Sequence, residues 1–279
     1  MLTGETRLVG LLGNPVSHSL SPRMQNAAFA ARGLEWAYVP LPVKPGDLEA
    51  AVSGLAALGF AGANVTIPHK SAIVSFCDEL DGVAERAASV NTLVIRDGRV
   101  LGSSTDGLAV TDAVSAEDAR VLILGAGGVA VAVAVALLDA GAEGVTVAAR
   151  DSDRAHALVA RLLALFPEKE VAAADTWPPQ PAGATLLVNA TPLRDELPVE
   201  PRIGQAVVDL AYRPGGDPTT LVEAAREAGC DPVVDGLEVL VRQGAASFER
   251  WTGVAAPVDV MRLAIFEGAY AAKDTKREE

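Results

Sequence analysis

A glycine-rich turn between two apolar segments is the feature that most constrains the fold of this chain. The apolar run 121–124 leads directly into Gly125-Ala-Gly-Gly-Val-Ala130, and a stretch rich in Ala and Val follows as far as Gly141. A strand, a Gly-x-Gly-x-x-Ala turn and a helix in this order are typical of a dinucleotide-binding βαβ unit. The glycines allow a tight turn and a close approach of the backbone to a pyrophosphate, at a helix N-terminus that favours anions. We therefore predict a dinucleotide-binding turn formed by Gly125, Ala126, Gly127, Gly128 and Val129.

The segment that contains this turn admits two other interpretations. Residues 121–138 carry no charge, which is nearly the length of a membrane span, and valine alternates with alanine over residues 129–135, which by itself favours a strand. Three glycines near the start argue against a membrane span, and the run continues to Ala140 before Gly141 ends it. We predict a strand, a turn and a buried helix, and no membrane partner.

Short apolar runs alternate with helical patterns through most of the chain. Between residues 120 and 236 this alternation predicts a parallel sheet of the doubly wound, Rossmann-like type. The expected strands are Val121–Leu124, Val145–Ala148, Leu186–Asn189, Val207–Leu210 and Val233–Val234, with helices over 154–166 and 219–228. The first hundred residues indicate a second α/β layer, and two helical segments, 237–251 and 257–271, follow Gly236. The fold class is α/β with two domains.

Charge and cysteine content exclude several kinds of partner. The chain has 23 basic and 36 acidic residues and a net charge of −13, which disfavours nucleic acid and anionic membranes as partners. Cys77 and Cys230 lie far apart and form no CxxC pair, and the N-terminus lacks a signal-peptide pattern, so we expect a cytoplasmic protein. The three histidines have no metal-ligand spacing, and we expect no metal.

The segment after the second strand of the βαβ unit bears on the choice of cofactor. Arg150 and Arg154 can bind a 2′-phosphate through their planar guanidinium groups, which favours NADP. Asp151 favours NAD, because an acid at this place binds the ribose hydroxyls. Two arginines at a helix start can also be solvated surface charges.

Two polar segments of the N-terminal half are candidates for a substrate site. Ser19 and Ser21 can donate to a carboxylate, or they can act only in a turn and as the N-cap before Pro22. Lys70 follows an apolar strand and a proline, whereas the other four lysines lie in loops, polar stretches or the C-terminal tail. Asp106 is the natural carboxylate partner for this lysine, as part of a proton-transfer pair or of a surface ion pair.

Taken together, these segments resemble the shikimate dehydrogenase family. The resemblance runs nearly from end to end and in the same order. The matching motifs are Asn14-Pro-Val-Ser-His-Ser-Leu-Ser-Pro, Asn64-Val-Thr-Ile-Pro-His-Lys, Val90-Asn91-Thr92, Ser104-Thr-Asp106-Gly, Gly125-Ala-Gly-Gly, Asn189-Ala-Thr-Pro, Asp209-Leu-Ala-Tyr212, Gly236 through Gln243-Gly-Ala, and Trp251-Thr-Gly.

The resemblance implies an NADP-dependent oxidoreductase that interconverts 3-dehydroshikimate and shikimate in aromatic amino-acid (chorismate) biosynthesis. It implies a substrate domain, residues 1–106 with 237–279, interrupted by an NADP-binding domain, residues 107–236. The implied catalytic pair is Lys70 and Asp106. The implied substrate contacts are Ser19, Ser21, Thr66, Asn91, Tyr212 and Gln243, and the implied cofactor contacts are residues 125–129, Arg150, Arg154, Leu210 and Gly236. A monomer or a homodimer is expected.

Several positions depart from the family pattern, and alternatives stay open. The departures are Ser104, Ala149, Asp151, Arg194 and Val239. Those at 149 and 151 leave NAD possible as the cofactor. The alternatives are a quinate or aminoshikimate dehydrogenase, a non-catalytic dinucleotide-binding regulator, and a folate-type dehydrogenase, which the Ser19 and Ser21 segment disfavours.

Overall fold

The protein forms two compact units, which are described separately. The computed structural model describes residues 2–181 and 183–275. One unit comprises Met1–Thr105 together with Val241–Glu279, and the other comprises Asp106–Leu240. Among the described residues, no helix is long and apolar enough to cross a membrane.

Strands and helices alternate along most of the described chain. Its strands are β1 (Arg7–Gly13), β2 (Trp36–Pro42), β3 (Gly62–Val65), β4 (Glu79–Leu80), β5 (Thr92–Arg96), β6 (Arg99–Ser103), β7 (Arg120–Leu124), β8 (Gly144–Ala148), β9 (Glu170–Ala173), β10 (Leu186–Asn189), β11 (Ala206–Asp209) and β12 (Val233–Val234). Its helices are α1 (Ser21–Ala31), α2 (Leu48–Ala57), α3 (Gly82–Ala87), α4 (Asp106–Thr111), α5 (Gly128–Asp139), α6 (Ser152–Leu165), α7 (Thr220–Glu227), α8 (Gly236–Thr252) and α9 (Val258–Thr275). The five strands predicted between residues 120 and 236 are confirmed, with shifts of at most one residue at their ends.

The first unit contains a mixed sheet with the strand order β2-β1-β3-β5-β6-β4. Strands β1, β2 and β3 are parallel, whereas β5 runs antiparallel to both β3 and β6. The core includes Leu12, Val52, Leu55, Val65 and Leu93. The C-terminal helices complete this unit as predicted, and the Phe29 ring of α1 stacks on the Phe248 ring of α8 with 5.3 Å between centroids.

The second unit contains a six-stranded sheet with the order β12-β11-β10-β7-β8-β9, and every pair in it is parallel. Counted along the chain of this unit, the order is 3-2-1-4-5-6, which is that of the Rossmann fold. The strand order reverses between β7 and β10, and ligands of such sheets bind at this switch point. The predicted Rossmann-like domain is therefore confirmed.

Helix α5 shows why the alternating valines do not form a strand. Every residue from Ala132 to Leu138 is buried, so the helix is apolar on all sides and needs no polar face. Gly141, with φ +102°, follows the helix in the left-handed conformation that ends many helices.

The two ends of the inserted unit differ slightly from the predicted boundaries. Helix α4 begins at Asp106 and packs closely on α5. The contact depends on a glycine, since a Cβ at Gly107 would lie only 2.5 Å from the Ala136 Cβ. Asp106 therefore lies in the second unit, one residue before the predicted start. Residues 237–240 also lie in that unit, and the rest of α8 belongs to the first unit. The Val239 amide donates to the Asp235 carbonyl at 3.1 Å and so joins the first turn of α8 to the end of β12.

Three strands have no counterpart in the sequence prediction, and one of them, β4, is only two residues long. Strand β6 pairs with β5 across the Asp97-Gly98 turn, where both residues have positive φ, and an Asp-Gly pair is a strong signal for such a hairpin. Strand β9 lies at the edge of its sheet and alternates between exposed and half-buried residues. Its residues are only half-buried or exposed, so the strand needs no run of apolar side chains, and the apolar pattern does not reveal it.

Candidate active site

The predicted substrate residues of the first unit lie at one edge of its sheet. Strands β1 and β3 end at this edge, and the antiparallel strand β5 begins there, since Asn64 pairs with Thr92. The loops after β1 and β3 are joined by a hydrogen bond from the Asn14 amide to the Ile67 carbonyl at 3.0 Å. This edge brings together the segments that carry Ser19, Ser21, Thr66, Lys70 and Asn91.

The two serines occupy the turn into α1. The Ser21 amide donates to Ser19 Oγ at 3.2 Å, and Ser19 is half-buried. The interpretation of Ser21 as the helix N-cap is wrong: Leu20 is the N-cap, and Ser21 is already the first helical residue, with Pro22 behind it. The Ser21 side chain instead forms a hydrogen bond with Tyr38.

Asn91 fixes the residue that precedes Asp106. Its Oδ1 accepts from the Thr105 amide at 2.8 Å, and its Nδ2 donates to Thr105 Oγ1 at 2.9 Å. Thr105 Oγ1 also lies 3.2 Å from the carbonyl oxygen of Gln243. Asn91 therefore joins the loop after β6 to the start of β5, beside the helix that carries Gln243.

Lys70 and Thr66 occupy the loop after β3. Both side chains are half-buried, and the Lys70 carbonyl accepts a hydrogen bond from the Val90 amide at 2.8 Å. This bond ties the Lys70 loop to the segment that leads into Asn91. His69 is buried and its Nε2 lies 2.7 Å from the Val43 carbonyl, consistent with the structural role expected of it.

A buried polar network beneath this edge was not predicted. Asn64 Oδ1 accepts from the Tyr38 hydroxyl at 2.9 Å, and Asn64 Nδ2 donates to Thr92 Oγ1 at 3.1 Å and to Ser247 Oγ at 2.9 Å. Burial raises the pKa of Tyr38 above that of an ordinary phenol, and the hydrogen bond with Ser21 opposes this effect. Tyr38 therefore stays protonated and links Ser21 to the core of the unit.

The glycine turn of the second unit has the geometry that a bound dinucleotide needs. Gly125 has φ +111°, and a Cβ there would lie 3.1 Å from the Ala190 carbonyl oxygen. Gly127 is the exposed N-cap of α5, and no heavy atom lies within 4 Å of where its Cβ would stand. Ala130 is fully buried, as close packing of the helix requires. The amides of the first turn are thus open to an anion.

The arginine segment lies at the same edge, because β7 and β8 are parallel neighbours. Arg150 is exposed after the end of β8. Asp151 is the N-cap of α6 and accepts from the Arg154 amide at 3.2 Å, while its other oxygen lies 3.5 Å from Arg154 Nε. The Asp151 carboxylate therefore has a local role that explains its presence without a ribose contact.

Leu210, Tyr212 and Gly236 follow the ends of β11 and β12. A Cβ at Gly236 would lie 2.3 Å from the Ala211 carbonyl oxygen and 2.9 Å from that of Leu210, so only glycine fits. The neighbouring Asp209 is fully buried, although the sequence motif that contains it suggested no role for its side chain. Its hydrogen bonds come from the nearby Ala211 amide and from the side chains of Asn189 and Thr219, 20 and 10 residues away. Among the described residues, no group of three or more His, Cys, Asp or Glu side chains is arranged to hold a metal ion.

The strand order and the glycine turn at its switch point define the second unit as a dinucleotide-binding domain. Three family models match the chain: shikimate dehydrogenase substrate binding domain over residues 11–93, shikimate / quinate 5-dehydrogenase over 108–172, and shikimate 5′-dehydrogenase C-terminal domain over 236–266. Shikimate dehydrogenase (NADP(+)) of Rubrobacter xylanophilus is 47% identical over 277 residues, which cover 95% of this chain and 97% of the relative. The chain belongs to the shikimate dehydrogenase family.

Solved structures agree with this assignment. A shikimate dehydrogenase crystallised with NADP+ has a TM-score of 0.86 and 35% identity, with 96% of this chain and 97% of that chain covered. The ligand-free 5-ketofructose reductase of Gluconobacter sp. strain CHM43 has a TM-score of 0.85 and 30% identity, with 95% and 99% covered. Since the second protein is named for a different substrate, the fold alone does not fix the substrate.

Proposed function

We propose that this protein is an NADP-dependent shikimate dehydrogenase, which reversibly reduces 3-dehydroshikimate to shikimate in aromatic amino-acid biosynthesis. The observation that carries the proposal is the 47% identity to a shikimate dehydrogenase (NADP(+)) over 95% of the chain. The edge of the first sheet supports it, because four of the six residues that the family resemblance assigns to the substrate, Ser19, Ser21, Thr66 and Asn91, lie just after or just before strands at that edge.

The substrate carboxylate is bound by Ser19 and Ser21, with Tyr212 as a further donor. Hydroxyl groups donate well to a carboxylate, and Ser19 and Ser21 lie in one turn. On substrate binding, the Ser21 hydroxyl exchanges its hydrogen bond with Tyr38 for one to the carboxylate. Thr66, Asn91 and Gln243 contact the substrate hydroxyls. Asn91 suits this role because its bonds to Thr105 hold its amide in one orientation.

Lys70 and Asp106 carry the proton chemistry. NADPH, when bound, supplies the hydride that reduces the carbonyl of 3-dehydroshikimate. Lys70 donates a proton to the oxygen on which negative charge develops. Asp106 orients the ammonium group of Lys70 and accepts a hydrogen bond from the neighbouring substrate hydroxyl. The residue before it, Thr105, is held by its hydrogen bonds with Asn91.

The cofactor is NADP, held by the turn 125–129, by Leu210 and Gly236, and by Arg150 and Arg154 at its 2′-phosphate. The open Gly127 position and the helix N-terminus behind it fit a pyrophosphate. Asp151 does not oppose this choice, because its carboxylate caps α6 and faces Arg154.

An oxidation assay tests the proposal. Shikimate and quinate are each combined with NADP+ and NAD+, and the absorbance of the reduced cofactor is followed. Shikimate with NADP+ should give the highest kcat/KM. Activity only with quinate and NAD+ would instead support the hypothesis of a quinate dehydrogenase. Cofactor binding without oxidation of either substrate would support a non-catalytic dinucleotide-binding regulator.

We further propose that the enzyme works in the cytoplasm as a monomer or a homodimer. The two cysteines of the described chain are free thiols, as suits a reducing compartment. Light scattering on the purified protein would give its mass in solution.

A further inference from the structure

We propose that Asp209 is a positioning residue that sets the place of Leu210 and Tyr212 at the active site. This inference rests on the proposed function, because Leu210 and Tyr212 are its expected cofactor and substrate contacts. Asp209 ends β11 and is fully buried in the second unit. No step of the mechanism described above uses it.

The Asp209 carboxylate joins three segments. Oδ1 accepts from Asn189 Nδ2 at 2.8 Å and from the Ala211 amide at 2.9 Å, and Oδ2 accepts from the Thr219 hydroxyl. Asn189 ends β10, Ala211 lies between Leu210 and Tyr212, and Thr219 is the N-cap of α7. All three groups are donors, so the arrangement is matched to an ionised carboxylate.

The same segment is held from its other side by Gly236. The Ala211 and Leu210 carbonyls approach Gly236 so closely that no side chain fits there. Residues 210–212 are thus held on two sides. The Asp209 carboxylate accepts from the Ala211 amide, and Gly236 leaves room for the Leu210 and Ala211 carbonyls. Asn189 extends the arrangement to the next loop, since its Oδ1 accepts from the Thr191 amide at 3.0 Å and from Thr191 Oγ1 at 2.6 Å.

Burying an ionised carboxylate costs free energy, so its pKa rises and protonation becomes possible near neutral pH. The arrangement is therefore sensitive to pH. The pKa of Asp209 is raised to about 6, mainly by burial and also by the charge of Asp235, against the lowering effect of the hydrogen bonds from Thr219, Ala211 and Asn189. Asp235 is itself 3.7 Å from Arg226 Nη2 on α7, and Arg213 donates to the Pro218 carbonyl next to Thr219. Below about pH 6 the protonated Asp209 loses acceptor capacity, and its hold on the Ala211 amide and Thr219 weakens.

Steady-state kinetics from pH 5 to 8 test this role with the Asp209→Asn variant. In the wild type, KM for shikimate should rise as pH falls through about 6, the pKa of Asp209. In Asp209→Asn, KM should be raised about tenfold at pH 8, with kcat within about threefold, because binding and not the chemical step is affected. Its KM should show no inflection near pH 6.

Two further variants and a control make the test decisive. Thr219→Val removes one donor and should raise KM, whereas Thr219→Ser keeps the hydroxyl and should restore it. Val207→Ala is the matched control, because Val207 is fully buried in the same strand and its loss destabilises the unit without removing a hydrogen bond to Asp209. The control should lower the thermal midpoint and leave KM and its pH profile unchanged.

The outcomes separate this inference from the proposed function. If the wild type oxidises no shikimate, the proposed function is wrong. If it does, and Asp209→Asn keeps the wild-type KM and inflection, the role of Asp209 is wrong. The same conclusion follows if Val207→Ala reproduces the loss of the inflection, because the effect would then come from stability.

Discussion

Lys70 differs from Lys44 in its setting within the first unit. Its side chain is half-buried in the loop after β3, and its carbonyl is tied to the segment before β5. Lys44, in contrast, is exposed in the loop after β2. This difference in environment is what the proposed proton transfer requires.

Replacing Lys70 by alanine should therefore remove the group that transfers the proton, and leave in place the serines that bind the substrate carboxylate. We expect kcat for shikimate oxidation to fall by roughly 10²–10⁴-fold, with KM changed little, because general acid–base catalysis contributes on that order. Steady-state kinetics measure both quantities. Lys44→Ala is the control and should behave like the wild type; near-normal turnover in Lys70→Ala would exclude the proposed mechanism.

Asp151 can be tested separately as a helix cap and as a charge. Asp151→Ser keeps a capping oxygen, whereas Asp151→Ala should destabilise the second unit by about 1 kcal/mol. Both remove the carboxylate beside Arg154, so kcat/KM with NADP+ should rise slightly while kcat/KM with NAD+ stays within about twofold, since exposed ion pairs are weak. A loss of NAD+ activity above tenfold in Asp151→Ser would show instead that Asp151 binds the ribose.

At the scale of elements, the glycine turn before α5 offers a pair of matched substitutions. Gly125→Ala introduces a side chain at φ +111° close to the Ala190 carbonyl, and it should cost roughly 1–3 kcal/mol of stability. Gly127→Ala meets no atom and has φ −87°, so stability should change by less than about 1 kcal/mol. Its methyl group would nevertheless stand where the pyrophosphate is expected, and the Kd for NADP+, measured by calorimetry, should rise at least tenfold. Unchanged cofactor affinity in Gly127→Ala would contradict this placement.

Elements with a local cause were predictable from the sequence. The turn at Gly125 and the helix end at Gly141 both depend on a glycine with positive φ, which the residue type itself indicates. The β5–β6 hairpin also has a local signal, since Asp97-Gly98 is a typical pair for a two-residue hairpin turn, although the apolar pattern alone does not predict β6. Strand β9 had none, because an edge strand that is only partly covered needs no apolar run.

Side-chain networks were not predictable, because their members are distant in sequence. Asn64 bonds to Ser247, 183 residues away, and Asp209 receives its donors from Asn189 and Thr219. Nothing near these residues in the chain indicates such a partner. The family resemblance gave the motifs that contain them and left the functions of Asn64 and Asp209 unassigned.

For the whole molecule, the net charge of −13 opposes the binding of anions, yet both proposed ligands are anionic. The structure offers local compensation at two places. One is the helix N-terminus at Gly127 with exposed Arg150 and Arg154 nearby in the fold, and the other is the pair of serine hydroxyls before α1 with Lys70 at the same sheet edge. Local dipoles and single cations act at short range, where the distant acidic surface is screened.

The β5–β6 hairpin makes the enzyme suitable for attachment to a solid support. Its tip, Asp97-Gly98, is exposed, and five residue pairs separate it from the end where Thr92 faces Ser103. At ~3.4 Å per residue, the tip lies roughly 17 Å from the end of the hairpin next to Asn91. The bonds between Asn91 and Thr105 close the hairpin at its base, so a linker at the tip would be mechanically isolated from the substrate residues. An electrode or bead can therefore be coupled at this exposed tip, at the end of the hairpin opposite to Asn91.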